Sequence, residues 1–456
     1  MRYLPNSDSD RVAMLKAMGR SSVEELFEQI PAELRLRGRL NLPGPLSEPE
    51  ILEFFRQAAR QSSREYVSLV GAGAYHHYIP VAVNALLSRG EFFTAYTPYQ
   101  AEIAQGTLQA MFEFQTLMTQ LTGMEVGNAS LYDGSTATTE AVLMAMRVTR
   151  RSRVLVARTV HPEYCQVLET FLRHQGTQLQ QVPYGESGQL DLARLESALE
   201  SETAAVVVQS PNFFGTLERI PEIAEVVHRS GALLIVSIAE PLSLACVKPP
   251  CEADLVCGEA QSLGVPVAFG GPYVGFLTAK AKFLRQMPGR LVGQTVDTEG
   301  RRGFVLTLAT REQHIRREKA TSNICTNQSL CALAVTIYLS LLGKNGLKRL
   351  AEQNLAKARY AVRQLTTIPG VTAPFSGPYF NEFVVRTPGD AEELLADLQK
   401  QKIIGGLNLE RFYPQLRNHL LVCVTEIVSR EAIDRAAEAF GRAAGLGVAA
   451  PTAARA

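Results

Sequence analysis

From about residue 67 to residue 284, short apolar runs alternate with longer segments in which apolar residues recur every three or four positions. The runs RVLVA (153–157), QLQQVPY (178–184), AAVVVQS (204–210), ALLIVSI (232–238), DLVCG (254–258) and YVGFLTA (273–279) predict strands. The stretches 102–121 and 136–149, together with LDLARLESALE and PEIAEVVHRSG, carry the helical period. This alternation implies βαβ units in an α/β domain. Its sheet is mostly parallel and covered on both faces. Ligands of such sheets sit outside the carboxyl ends of the strands.

Three other patterns flank this one. Residues 1–61 read as an N-terminal arm: SSVEELFEQIP starts a short amphipathic turn, and LNLPGPLSEPEILEFFRQAAR is a Pro-rich stretch leading into a helix. The large domain is expected over 62–322. A long apolar helix is expected at 323–342, opening a unit that runs to 445. That unit continues as strand NEFVVRT, helix DAEELLADLQKQ, strand NHLLVCVT and helix REAIDRAAEAFGRAA, the order of a small α+β domain. The segment 446–456 reads as a disordered tail.

Composition narrows the classes. The 456 residues are 46% hydrophobic and 20% charged, with a formal net charge of +1. No charge excess points to nucleic acid or to a membrane surface. The longest apolar run, 331–342, is interrupted by Thr and Ser and is too short to span a bilayer. The first residues, MRYLPNSDSD, hold no apolar signal core, so a cytoplasmic location is expected. Seven cysteines without a CxxC pair, and seven histidines without HxxxH spacing, predict reduced thiols and no metal site.

The loop after the run 254–258 reads Glu259-Ala260-Gln261-Ser262-Leu263. In one large class of cofactor enzymes a loop in these surroundings carries the lysine that holds pyridoxal phosphate. That chemistry needs a lysine amine, a carboxylate on the pyridine nitrogen, a phosphate cradle at a helix N-terminus and a side chain stacked on the ring. Gly134-Ser135-Thr136-Ala137 at the start of a helix suits the cradle, although the same residues also make a plain cap. His161, after the run 153–157, suits the ring face, or a capping role. The other two groups are missing. Ser237 stands where the carboxylate belongs, and a hydroxyl cannot hold a pyridinium charge as a carboxylate does. Glu240, three residues on, is expected on the opposite strand face. Gln261 stands where the lysine belongs, and an amide forms no imine. The next lysine, Lys280, lies beyond the following strand.

The segments MRYLPNSDSDRVAMLKAMG, GAGAYHHYIP, FTAYTPYQAEIAQGTLQAMFEFQT, LTGMEVGNASLYDGSTATTEA, GEAQSLGVPVAFGGPYVGF and RREKATSNICTNQSL closely resemble the P-protein family of the glycine cleavage system. The match is to the α subunit (subunit 1) of the two-subunit glycine decarboxylase and covers nearly the whole chain. Two small departures are Ala101, where a proline is common, and His76, where Asp or Asn is common.

The resemblance implies an aminotransferase-like fold (pyridoxal phosphate fold type I) with a seven-stranded-type, mostly parallel sheet. It implies a degenerate paralogue whose β-subunit partner carries the lysine and the pyridoxal phosphate. It further implies an α2β2 heterotetramer that decarboxylates glycine and passes the aminomethyl group to the lipoyl arm of the H-protein.

Sites in such dimers borrow residues from the neighbouring chain, which makes Tyr96, Tyr99 and Gln100 candidates to serve the partner's site. The alternative for the tyrosines is an apolar interface anchor. Thr321, Ser322 and Asn323, expected at a helix N-terminus after a basic run, are candidates for the partner's cofactor phosphate. Their alternative is a plain N-cap. Arg311 is a weaker candidate for an anion contact. The residues Gly134, Ser135, Thr136, His161, Ser237 and Gln261 would be a vestigial pocket. Two rival readings are a scaffold or regulatory paralogue without a catalytic contribution, and an independent pyridoxal enzyme using Lys280.

Overall fold

The computed structural model describes residues 5–443 apart from 37, 39, 61, 63, 64, 323, 325 and 326. The expected tail 446–456 lies outside the described residues. The chain divides into two compact units, Met1–Arg64 and Glu65–Ala456.

In the first unit, the helix Asp8–Ala17 is opened by Ser7 and Asp10, which cap each other's backbone. A 3-10 turn follows at Glu24–Phe27, and a second helix spans Glu48–Arg60. That helix has no buried residue, and Ile51, Leu52, Phe54 and Phe55 are all exposed.

The second unit is built on a seven-stranded sheet. Its strands are β1 (Val126–Gly127), β2 (Arg153–Ala157), β3 (Gln178–Val182), β4 (Thr203–Gln209), β5 (Leu233–Ile238), β6 (Leu255–Glu259) and β7 (Gly275–Ala279). Their spatial order is β1-β7-β6-β5-β4-β2-β3. Strands β2 to β6 pair in parallel, whereas β7 is antiparallel to both β6 and β1. Every residue of β4, β6 and β7 is buried, which explains the near-continuous apolar runs in the sequence. The alternation from 153 to 279 therefore reads the sheet correctly, with strand ends displaced by one or two residues.

The expected helix at 323–342 is displaced and longer. It spans Ser329–Leu365 and is broken at Gly343, whose φ of 58° and ψ of −177° are not helical. Among the described residues this is the one helix long and apolar enough to cross a bilayer. It instead buries Ala332, Val335 and Tyr338 in the main core, and Ala358, Ala361 and Leu365 in a second core. That second core belongs to a three-stranded antiparallel sheet of Glu382–Arg386, Leu407–Asn408 and His419–Cys423, backed by the helices Ala391–Lys400 and Arg430–Ala443. The strand Leu407–Asn408 is too short to leave a period-2 signature, and its place in the sheet was not expected. Nor was the hairpin Leu291–Val296 with Arg302–Thr307. Val67–Ser68, assigned by sequence to the large domain, pairs with Ile403–Ile404 of the small one.

Gly258 shows how closely β5 and β6 approach where they end. Its φ is +156°, and a Cβ there would lie 1.9 Å from the Ile238 carbonyl oxygen, a backbone atom that cannot step aside. Gly258→Ala is expected to cost about 3 kcal/mol through overpacking. Chemical denaturation of the purified chain measures this, and an unchanged midpoint would contradict it.

Candidate functional site: a closed cofactor pocket

Parallel strands deliver side chains to the carboxyl edge of the sheet, and the candidate pocket residues meet there. The helix Gly134–Thr149 begins behind Asp133, whose side chain accepts the Thr136 N–H at 2.7 Å and the Ser135 hydroxyl at 2.8 Å. The next free donor, the Gly134 N–H, is taken by Glu259 at 2.9 Å. The same carboxyl group accepts the N–H groups of Gln261 and Val274, both at 3.0 Å. Burial pushes the Glu259 carboxyl up to about 8, and these three N–H groups work against that rise. The cradle expected for a phosphate is thus filled by the chain's own acid.

The remaining pocket residues are equally committed. Ser237, fully buried, shares a 2.9 Å hydrogen bond with the Thr138 hydroxyl. His161 caps the helix Pro162–Leu172: its Nδ1 accepts the Glu163 N–H at 3.2 Å, and its Nε2–H donates to the Ala72 carbonyl at 2.9 Å. One face of the ring stacks on Tyr164, with centroids 4.7 Å apart. The amide of Gln261 accepts the Tyr75 N–H at 2.8 Å through Oε1. Its Nε2 donates to the carbonyls of Tyr75 and Val265 at 3.0 and 2.7 Å.

The segment Gly71-Ala72-Gly73-Ala74-Tyr75 therefore lies across the strand ends. Glycine is needed at 73, where φ is +94° and a Cβ would lie 2.7 Å from the His161 Nε2. Glu382 of the small domain holds the segment from the other side, accepting the Ala72 N–H at 2.6 Å and the Tyr75 hydroxyl at 2.7 Å. Pyridoxal phosphate does not fit these residues. These residues supply neither an imine-forming amine nor a carboxylate for the pyridine nitrogen, and the Gly134 and Thr136 N–H groups and the Ser135 hydroxyl are already bonded within the chain. Lys280 offers no substitute: it follows β7 at the opposite end from Glu259, and its ammonium donates to Glu252 and Asp254.

The parity argument for Glu240 does not hold, because β5 ends at Ile238. Glu240 lies past the strand, 1% exposed, and accepts the Ser262 hydroxyl at 2.7 Å and an N–H of Asn381 at 3.2 Å. His77 joins it to the small domain, with Nε2 at 2.9 Å from Glu240 and Nδ1 at 2.7 Å from Glu426. Burial alone would depress the His77 imidazole, but the two carboxylates prevail and raise it to about 10. Lone acidic residues just past a strand end were the only hint of this pair in the sequence.

The candidates for service to a partner divide. Tyr96 is 77% exposed and Tyr99 54% exposed, and Gln100 beside them is exposed too. Their surroundings within the chain differ. Tyr96 lines a cavity with Phe92 and Phe93, whereas the Tyr99 hydroxyl accepts an N–H of buried Arg290 at 3.1 Å. The Arg290 guanidinium also lies 5.3 Å from the Tyr99 ring centroid. No motif announced this contact. Thr321 and Ser322 are not at a helix N-terminus, because the helix begins at Ser329. Ser322 instead accepts the Ile324 N–H at 3.1 Å. Asn323 lies outside the described residues. Arg311 is not open to an anion: its guanidinium donates to the carbonyls of Met287, Gly289 and Leu308.

A mostly parallel sheet of this order, with Gln261 and Ser237 at the carboxyl ends of its strands, places the chain in the class of pyridoxal phosphate fold type I proteins. The chain belongs to the glycine cleavage system P-protein family, whose model matches residues 1–440. It is 55% identical over 439 residues to a protein of Koribacter versatilis named probable glycine dehydrogenase (decarboxylating) subunit 1. That match covers 96% of this chain and 99% of the relative. A crystal structure of glycine decarboxylase (P-protein) in inhibitor-bound form superposes with a TM-score of 0.87 at 43% identity, covering 97% of this chain and all of the other. A sphingosine-1-phosphate lyase of Burkholderia pseudomallei, 16% identical over 91% of this chain and 95% of its own, has a TM-score of 0.66 and shares the fold.

Two outcomes are expected from this geometry. The Glu259→Ala chain strands three buried donors, so it should be less stable, and millimolar inorganic phosphate should restore part of the loss in Glu259→Ala but leave the wild type unaffected. Equal responses of the two chains in thermal unfolding would contradict the filled cradle. The folded His77 value of about 10 exceeds the ordinary 6.5, so the imidazolium contribution is complete below pH 6.5 and is lost as pH rises through 10. The gap in denaturation midpoint between wild type and His77→Gln should therefore shrink across that window. A constant gap would show that the charge is not what stabilises.

Proposed function

We propose that this chain is the cofactor-free α subunit of a glycine decarboxylase, working beside a β subunit that holds pyridoxal phosphate on a lysine. The pair would decarboxylate glycine and pass the aminomethyl group to the lipoyl arm of the H-protein, in an α2β2 assembly. The observation that carries this reading is Gln261. It stands where the lysine belongs, in a chain of which 96% is matched by a relative named probable glycine dehydrogenase (decarboxylating) subunit 1.

The exposed surface supports a partner. Val81, Phe93, Tyr96, Tyr99 and Ile103 are each at least half exposed, an unusual density of large apolar side chains on one short stretch. The N-terminal unit has exposed apolar side chains of its own on Glu48–Arg60. In this reading Tyr96, Tyr99 and Gln100 enter the partner's site, where hydroxyls and an amide orient a small polar substrate and limit water. Arg290 fixes the Tyr99 ring from behind. Thr321 and Ser322, with Asn323, would reach the partner's cofactor phosphate. In the alternative reading the chain is a scaffold that binds the same partner and leaves its chemistry untouched.

Reconstitution separates the two. The chain alone, incubated with pyridoxal phosphate and borohydride, should yield no reduced adduct. Mixed with its lysine-bearing partner it should support exchange of bicarbonate into the glycine carboxyl. Tyr96→Phe and Tyr99→Phe should each lower that exchange about tenfold, the scale of one lost hydrogen bond. Full activity in both variants would leave the scaffold reading.

A further inference from the structure

Among the described residues, Arg290 is the largest side chain that is completely buried, at 2% exposed. It is poorly satisfied there. Its Nη2 donates to the Tyr99 hydroxyl at 3.1 Å, whereas Nε and Nη1 make no hydrogen bond. A Glu312 carboxylate oxygen lies 3.8 Å from Nε, an ion pair without a hydrogen bond. A buried charge with unused donors adds little to stability, and an apolar side chain of similar volume would serve the core as well. The residue is nonetheless anchored on both sides. The Arg290 carbonyl accepts the Ala129 N–H at 2.9 Å. Two residues on, the Gln115 amide clasps Val292, accepting its N–H at 2.9 Å and donating to its carbonyl at 3.0 Å.

This anchored cation acts on Tyr99, through the hydroxyl and through a ring whose centroid lies 5.3 Å away. Tyr99 itself is 54% exposed, so it carries the influence of a buried charge to the surface. Because the phenol oxygen accepts from Arg290, its O–H is directed away from the guanidinium and acts as a donor. A positive charge behind that oxygen favours an anionic acceptor in front of it and disfavours an ammonium. Glu312 weakens this bias without matching it, since its contact is the longer one. We infer that Arg290 is a positioning residue that sets Tyr99 as a hydrogen-bond donor to an anionic oxygen in the partner's site. The inference rests on the reading that Tyr99 enters that site, and deepens it by naming what Tyr99 meets there. Two oxygens have that chemistry: the glycine carboxylate and the phosphate of the partner's cofactor.

The test uses the full chain in complex with its lysine-bearing partner. Dissociation constants are measured for pyridoxal phosphate, for glycine and for methylamine, the same amine without the carboxylate. If the acceptor is the glycine carboxylate, Arg290→Met and Tyr99→Phe should each weaken glycine about tenfold and leave methylamine unchanged. If it is the phosphate, each should weaken pyridoxal phosphate about tenfold and leave the ratio of glycine to methylamine unchanged. In both cases the double variant should be no weaker than Tyr99→Phe, because Arg290 acts through Tyr99. Arg290→Lys, which keeps a charge and a donor, should recover part of the loss, and with Tyr99→Phe it carries the comparison if Arg290→Met does not fold. The inference is overturned if Tyr99→Phe or a stably folded Arg290→Met leaves all three constants at the wild-type values. Equal weakening of glycine and methylamine at unchanged cofactor affinity overturns it too. Failure of the underlying reading looks different: the wild-type complex would then exchange no bicarbonate into glycine.

Discussion

Three backbone N–H groups, those of Gly134, Gln261 and Val274, converge on the carboxyl of Glu259. They come from the start of a helix, from a loop and from the turn into β7. One side chain therefore ties the three elements that meet at the carboxyl edge of the sheet. A helix N-terminus at such an edge needs an acceptor, because its first N–H groups have no partner in the helix. In a cofactor enzyme a phosphate supplies that acceptor. Here the chain supplies its own, and the site needs no ligand to be complete.

The segment from Gly71 to His77 extends this self-sufficiency across to the small domain. Tyr75 is held by Gln261 on one side and Glu382 on the other, and His77 by Glu240 and Glu426. Each pair draws one member from the large domain and one from the C-terminal region. Two acids on one imidazole form a stable buried group only while the ring is charged, since removal of the proton would leave uncompensated carboxylates in a poorly solvated place. The domains are thus joined by polar groups that are satisfied only in one arrangement, whereas a purely apolar seam would tolerate sliding.

The sheet was legible because its central strands are buried on both faces, so AAVVV (204–208) and ALLIV (232–236) run without a polar residue. The absence of a lysine and of its carboxylate was legible because each is a single residue at a known place, Gln261 in the loop after β6 and Ser237 near the end of β5. The closure of the pocket was not. Glu259 gives no sign in sequence that it will turn back onto Gly134, 125 positions earlier. Tyr75 and Gln261 are 186 residues apart, and local pattern carries no information about such a pair. The helix start failed for a different reason. Apolar residues from Ile324 onward suggest a continuous period, but regular helix begins only at Ser329. The same helix ran past its expected end because Gly343 interrupts it without stopping it.

Gln261 has a consequence for the history open to this chain. Its amide both accepts from and donates to the backbone of Tyr75, a pairing that an ammonium, which has no acceptor, cannot reproduce. A lysine returned to this position would leave the Tyr75 N–H unsatisfied. It would also bring a longer, charged side chain into a space already crossed by the chain, and it would find no carboxylate at Ser237. The neighbours of Gln261 are matched to an amide, so a single substitution would not turn this position into one that holds a cofactor lysine.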